Sequence, residues 1–209
     1  MRKKEKTLIA VERLEKLYPQ AICSLDYKDA FQLLIATRLS AQCTDKRVNL
    51  VTPQLFKEFP DALSMSNADI KRVEQLIKTC GLYKTKARDL VAIGRKIVSD
   101  FGGRVPDTIE ELVTLSGVGR KTANLVCGDI YKKPAVVTDT HFIRICNRLG
   151  LVKTVNPIKV EMEMRKLLPD EKSNDFCHRT VLFGRDICCA RSPKCNECVL
   201  SDICPKINV

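Results

Sequence analysis

Three groups of residues in this sequence have the types and spacing to do chemistry. Near the C-terminus Cys188, Cys195, Cys198 and Cys204 are separated by six, two and five residues, with Pro205 directly after. That stretch is too short to bury a core of its own, so four thiolates in it point to a metal centre, and both zinc and an iron–sulfur cluster accept four cysteines. Zinc ribbons usually present two C-x-x-C pairs, whereas only Cys195 and Cys198 form one here, which favours a [4Fe–4S] cluster. Cys189 is an alternative first ligand, and disulfides are a third reading, disfavoured by a reducing compartment.

The second group lies between Ile109 and Ile130. The spacing predicts a short helix with Ile109, Leu112 and Val113 inward, a tight turn Leu115-Ser116-Gly117-Val118-Gly119, and a second helix with Ala123, Val126, Cys127 and Ile130 inward. Gly117 and Gly119 are both expected to use dihedrals closed to other residues. They would also let backbone N–H groups approach an anion, such as a DNA phosphate, at the start of the second helix. Arg120 and Lys121 open that helix, where the helix dipole opposes positive charge, so their placement points to function. A lone G-x-G would leave a plain helix corner with solvated basic residues as the better reading. The third candidate is Asp139, between the break at Pro134 and the next helical stripe; on these residues alone it is best read as an N-cap, and Thr138 would cap equally well.

The elements that must position these groups are helices. Ala87, Leu90, Val91, Gly94, Ile97, Val98 and Phe101 recur three and four apart with Lys84, Arg88, Arg95 and Lys96 interleaved, an amphipathic helix with a basic outer face. Similar stripes run over Leu8 to Tyr18, Phe31 to Leu39, Ile70 to Ile77, Ile143 to Leu149 and Val160 to Leu168. Pro53 is expected to kink or end a helix near Thr52. Ala135 to Thr138 reads as an extended connector, since four residues cannot make a sheet. The fold class is all-α.

Composition bounds the rest. The 209 residues suffice for one or two domains, and 36 Lys and Arg against 25 Asp and Glu leave a formal charge of +11, which points to an anionic partner, nucleic acid first. With 44% hydrophobic residues the chain is no disordered tail, and no uncharged run exceeds nine residues, too few to span a bilayer. The basic N-terminus lacks a secretory cleavage pattern, so a cytoplasmic protein is expected. Cys23, Cys43, Cys80, Cys127, Cys146 and Cys177 read as small buried hydrophobes without a role.

Taken together, Leu39 to Asp45, Leu115 to Asn124, Val137 to Arg144 and the C-terminal cysteine spacing resemble the endonuclease III family, bacterial DNA glycosylases with AP lyase activity. The resemblance covers nearly the whole chain and implies a two-lobed helix-hairpin-helix DNA glycosylase fold. A six-helix barrel would span residues 23–133, with the hairpin at about 108–130, and an iron–sulfur cluster domain would be built from 1–22 and 134–209, with its cluster loop at 188–204. Residue by residue, Lys121 matches the nucleophilic lysine, Asp139 the catalytic aspartate, and Cys188, Cys195, Cys198 and Cys204 the ligands of a [4Fe–4S] cluster. Gln42, Leu82 and His141 match residues inserted into the duplex where a nucleotide is flipped out, and Gly117, Gly119 and Arg120 belong to the DNA-binding hairpin. Ser116 departs from the usual Pro, which predicts a less stiff turn with its phosphate contact retained. The implied activity is base-excision repair: release of oxidised or damaged pyrimidines from double-stranded DNA, then cleavage of the abasic site by β-elimination through a lysine Schiff base. A monomer associated with the nucleoid is implied. An adenine glycosylase of the same superfamily would lack Lys121 and extend beyond Val209, and a non-enzymatic DNA-binding module is the reading from another class.

Overall fold

The computed structural model describes residues 1–207 and 209; among them the regular elements are helices and no residue lies in a strand. Contacts group the chain into two units, one continuous (Cys23–Tyr131) and one assembled from both ends (Met1–Ile22 with Lys132–Val209).

Helix α1 (Lys3–Leu17) belongs to the two-ended unit. The continuous unit holds α2 (Ala30–Ser40), α3 (Asp45–Glu58), α4 (Ala62–Ser66), α5 (Ile70–Leu76), α6 (Tyr83–Phe101), α7 (Ile109–Leu112) and α8 (Arg120–Asp129). Helix α2 is central: Leu33, Leu34, Ile35, Ala36 and Leu39 are fully buried, and four consecutive buried residues point to every side of a helix. Truncating any of these leucines to Ala should cost about 2–5 kcal/mol. Helices α4 and α6 approach so closely at Gly94 that a Cβ there would lie 2.8 Å from the Ser66 nitrogen and 2.9 Å from the Ala62 oxygen.

Most helix starts in this unit are marked by a side chain that accepts from a free backbone N–H. Asp29 caps α2, Thr44 caps α3, Asp69 caps α5 and Thr108 caps α7, while Asp61 and Ser64 cap α4 reciprocally. Helices α6 and α8 differ, beginning at Leu82 and Gly119 with no side-chain cap.

Two expectations need correction. Pro53 lies inside α3, so of the kink or end expected near Thr52 the end does not occur and the helix continues to Glu58. Val48, Val51 and Leu55 bury one stripe that runs past the proline, and this packing outweighs the single backbone bond the ring removes. Val113 follows the one-turn α7 as its C-cap and is 37% exposed, because a four-residue helix ends before its stripe returns inward. Ala135 to Thr138 is indeed a buried connector without ladder bonds.

The two-ended unit adds α9 (Thr140–Arg148), α10 (Pro157–Arg165) and α11 (Ser173–Asp186), followed by a loop with a 3-10 turn at Cys195–Glu197. Phe142 of α9 and Phe176 of α11 meet edge to face at 6.1 Å and are fully buried. Helix α1 is tied to the rest of the unit by Lys6 Nζ donating to the Leu149 carbonyl at 2.9 Å, by an Arg13–Asp202 fork, and by Lys172 Nζ on Glu15 at 2.7 Å.

Candidate functional site

In the continuous unit, α7, a tight turn and α8 form a helix hairpin. The turn closes through Leu115 N–H on the Leu112 carbonyl and Val118 N–H on the Leu115 carbonyl, both 3.1 Å. Gly117 holds φ at +67°, where L side chains are strained, and a Cβ on it would lie 2.3 Å from Arg38 Nε. Gly119 differs from the expectation: with φ −99° its backbone is open to any residue, and a Cβ there would meet nothing within 4 Å. Its smoothness serves no need of the fold. It leaves open ground at the uncapped start of α8, where backbone N–H groups and the helix dipole favour an anion. Arg120 and Lys121 follow directly, Lys121 exposed and Arg120 half-buried.

Beneath the turn lies a network that sequence reasoning missed. Ser116 Oγ donates to Asp89 Oδ1 at 2.7 Å, while Arg38 Nε donates to Asp89 Oδ2 at 3.0 Å and Arg38 Nη2 donates to the same oxygen. The Arg38 and Asp89 side chains are only 12% and 15% exposed. Ser116 thus replaces the stiffness of a proline ring with a charge-assisted bond that pins the turn to α6 and α2. No spacing in the sequence signals it, because the three residues come from separate elements.

Gln42 and Leu82 are brought together. Both are exposed and both hold positive φ, 53° and 57°, and a Cβ on Gly81 would sit 3.3 Å from the Gln42 carbonyl oxygen. Non-glycine residues in this region are costly and cluster where function demands it. Between the two loops Lys86 is completely buried, its Nζ donating to the Leu39 carbonyl at 2.8 Å. Burial lowers its pKa. Lys86 stands four residues before Leu90, on the inward stripe of α6, and that charged intrusion was its only sequence signal.

In the two-ended unit, Asp139 is the N-cap of α9, its Oδ1 accepting from Phe142 N–H at 2.7 Å. The cap engages one carboxylate oxygen. His141, the second residue of α9, lies over Gly184, where a Cβ would come within 2.7 Å of its Nδ1, and Arg144 Nη2 stands 3.2 Å from that same nitrogen.

Cys188, Cys195, Cys198 and Cys204 line one cavity together with Arg148, Ile187, Pro193 and Lys194, and Cys189 is not among its walls. The Cys189 thiol instead donates to the Arg185 carbonyl at 3.1 Å. The four cavity sulfurs sit among donors: Arg148 Nη1 lies 3.3 Å from Cys188 Sγ, and the backbone N–H groups of Leu200 and Lys206 donate to Cys198 and Cys204, each at 3.4 Å. Arg148 is 5% exposed and also donates to the Cys189 and Ala190 carbonyls at 2.7 and 3.1 Å. Arg144 holds the Cys188 carbonyl at 2.9 Å. These two arginines, one turn apart on α9, were also missed; a basic residue on the inward stripe of Ile143 to Leu149 was the available sign. Burial raises the pKa of both the Cys198 and Cys204 thiols. Among the described residues no helix is long and apolar enough to cross a membrane.

Comparison with known proteins places these features in company. Residues 35–170 match the family model for HhH-GPD superfamily base excision DNA repair proteins. The endonuclease III of Synechocystis sp. is 47% identical over 97% of this chain and 93% of its own length. A solved structure described as a trapped endonuclease III–DNA covalent intermediate superposes with a TM-score of 0.91 at 37% identity, covering 99% of this chain and 97% of the other. A thermostable thymine-DNA glycosylase superposes with a TM-score of 0.87 at 25% identity, over 98% and 96% of the two chains.

Proposed function

The chain belongs to the endonuclease III family within the HhH-GPD superfamily of base excision DNA repair proteins, and from that premise we propose that it removes oxidised pyrimidines from duplex DNA and cleaves the resulting abasic site through Lys121. The observation that carries this reading is the hairpin: an uncapped helix start with open ground at Gly119, followed by Arg120 and then the exposed Lys121.

A base inside a duplex is out of reach, so it must be extruded at a cost of a few kcal/mol, least where damage has spoiled its stacking. Gly117, Gly119 and Arg120 grip the phosphate backbone, and the strained, exposed Gln42 and Leu82, with His141, fill the space the nucleotide leaves. The neutral Lys121 amine attacks C1′ of the sugar, displaces the base and forms a Schiff base; loss of a C2′ proton then expels the 3′ phosphate. Asp139, anchored through one oxygen, stabilises the positive charge that develops on the sugar with the other. The +11 charge supplies sequence-independent affinity through counterion release.

The residues around the four-cysteine cavity suit a [4Fe–4S] cluster held by Cys188, Cys195, Cys198 and Cys204. Four sulfurs face one space and three of them accept N–H bonds, as thiolate ligands do. Bound there, the cluster would cross-link the 188–204 loop and add folding free energy. We place residues 23–133 as the hairpin-bearing domain and the two ends as the cluster domain. Action on chromosomal DNA as a monomer in the reducing cytoplasm goes with this substrate and these ligands.

The test is a duplex with one thymine glycol, incubated with wild type and Lys121→Gln, with and without borohydride, beside a plain abasic duplex and a G·T mismatch. Wild type should nick the thymine glycol duplex and be trapped covalently, and Lys121→Gln should do neither while still binding. Binding by wild type without nicking or trapping on any duplex would overturn the enzymatic reading in favour of a DNA-binding module.

A further inference from the structure

Two cysteines outside the cluster loop lie where the Gln42 and Leu82 loops meet. Cys43 follows Gln42 and Cys80 precedes Gly81 and Leu82, and the two thiols are close enough to interact electrostatically with one another. The backbones run equally close, since the Gln42 carbonyl would stand 3.3 Å from a Cβ on Gly81. Cys80 is sealed at 1% exposure, whereas Cys43 is half-buried and open to small solutes. The buried Lys86 ammonium, held on the Leu39 carbonyl at 2.8 Å, lies beside both thiols. Cys146 and Cys177 also neighbour one another, but at 0% and 2% exposure no oxidant reaches either.

We propose that Cys43 and Cys80 form a reversible dithiol–disulfide site for peroxide-class oxidants, and that the disulfide latches together the two loops that carry Gln42 and Leu82. The Cys43 thiolate attacks one peroxide oxygen, the O–O bond breaks, and the sulfenic acid and one water result. The Cys80 sulfur then displaces the hydroxyl from Cys43; one S–S bond forms, both thiol protons end in water, and the peroxide is reduced to two waters. Burial and the adjacent Cys43 push Cys80 up to about 11, so it remains a thiol until this second step. A disulfide holds its two Cβ atoms about 3.8 Å apart, which prevents the loops from parting as they enter a duplex. This second consequence rests on the reading of Gln42 and Leu82 as duplex-inserting residues.

The experiment treats the cluster-loaded full chain with diamide, a two-electron thiol oxidant, blocks remaining thiols, and maps peptides under non-reducing conditions. Binding to a duplex carrying a reduced abasic analogue and visible absorbance of the cluster are followed in the same samples, for wild type, Cys43→Ala and Cys80→Val. Wild type should yield a Cys43–Cys80 linked peptide and bind about tenfold more weakly, about 1.4 kcal/mol, with recovery on adding dithiothreitol. Both variants should bind like reduced wild type before and after treatment, and Cys43→Ala alone suffices if Cys80→Val misfolds. Absence of the linked peptide while other thiols oxidise would overturn the site, and a linked peptide with unchanged binding would overturn the latch. Failure of the reduced wild type to bind the analogue would count against the DNA reading instead, and the linked peptide would still decide the dithiol site.

Discussion

Replacing Asp89 with Ala tests whether the hairpin is held from below. The substitution removes the acceptor of the Ser116 hydroxyl at 2.7 Å and of the Arg38 guanidinium, leaving a guanidinium only 12% exposed without its counter-charge. Breaking a buried pair by deleting one partner costs about 3–5 kcal/mol. The residual exposure of both side chains reduces that, and the lost Ser116 bond adds about 1 kcal/mol, so roughly 3 kcal/mol is expected. For a chain of this size each kcal/mol lowers Tm by about 2–4 °C, so scanning calorimetry should find Asp89→Ala melting about 6–12 °C below wild type. Ser116→Ala should lose about 1 kcal/mol, and the double variant should show a coupling of 0.5 kcal/mol or more, within the range of about 0.5–3 kcal/mol for contacting residues. If the hairpin is positioned by this network, DNA affinity should fall in both single variants further than Tm alone explains. Additive losses, or a drop below about 2 °C for Asp89→Ala, would refute the reasoning, since the turn would then hold its shape without the carboxylate.

The two hairpin glycines should separate fold from function. Gly117→Ala meets a left-handed backbone and the Arg38 side chain and should cost 2 kcal/mol or more by urea denaturation, about 1–2 of it from the dihedral alone. Gly119→Ala should fold within about 1 kcal/mol of wild type yet weaken binding to an abasic duplex, and unchanged affinity would remove the phosphate from α8. Arg148→Met takes a donor from Cys188 Sγ and from three carbonyls, so bleaching of cluster absorbance in air should quicken severalfold; an unchanged half-life would show that the guanidinium does not protect the centre. Arg72 and Gln54 hold the Glu58 carboxyl down to about 2, so the ion pair stabilises above the unfolded value of 4.5 and fades as pH falls towards 2. Chemical denaturation of Glu58→Gln should accordingly trail wild type at pH 6 and converge with it as the medium is acidified, and a gap that widens in acid would reverse the sign. Affinity for DNA should drop about a thousandfold or more between 50 and 200 mM salt if six or more phosphates are contacted.

What could be read from residues alone was whatever chemistry restricts to a few types. Four clustered cysteines point to a metal centre and Asp139 to a helix cap because few residue types suit those tasks, whereas a nucleophilic Lys121 and a catalytic Asp139 came only from the family resemblance. Helix α6 was legible because its stripe repeats from Ala87 to Phe101, whereas α7 is one turn long and gives Val113 no second turn to reveal its face. Pro53 does not end α3 because local propensity is weaker than a buried stripe that passes through it. The tie at Ser116 was invisible for a different reason. Its partner Asp89 is 27 positions away and Arg38 lies a further 51 from Asp89, so only tertiary contact turns an apparent loss of stiffness into a tie. Gly119 shows the converse, a glycine whose backbone needs nothing special.

The attachment of α1 also sets a schedule for synthesis. Its Arg13 waits for Asp202, which leaves the ribosome about 190 residues later, roughly 10 to 40 seconds at ordinary rates of elongation. Meanwhile Ala10, Val11 and Leu14, sealed in the finished protein, have no mate, while Cys23–Tyr131 is uninterrupted in the chain and has all it needs to collapse as it emerges. The nascent chain therefore carries a charged helix with one uncovered apolar stripe ahead of the continuous unit. That helix is where a holding chaperone would find its grip, and slow translation through the second half of the message would lengthen the exposure.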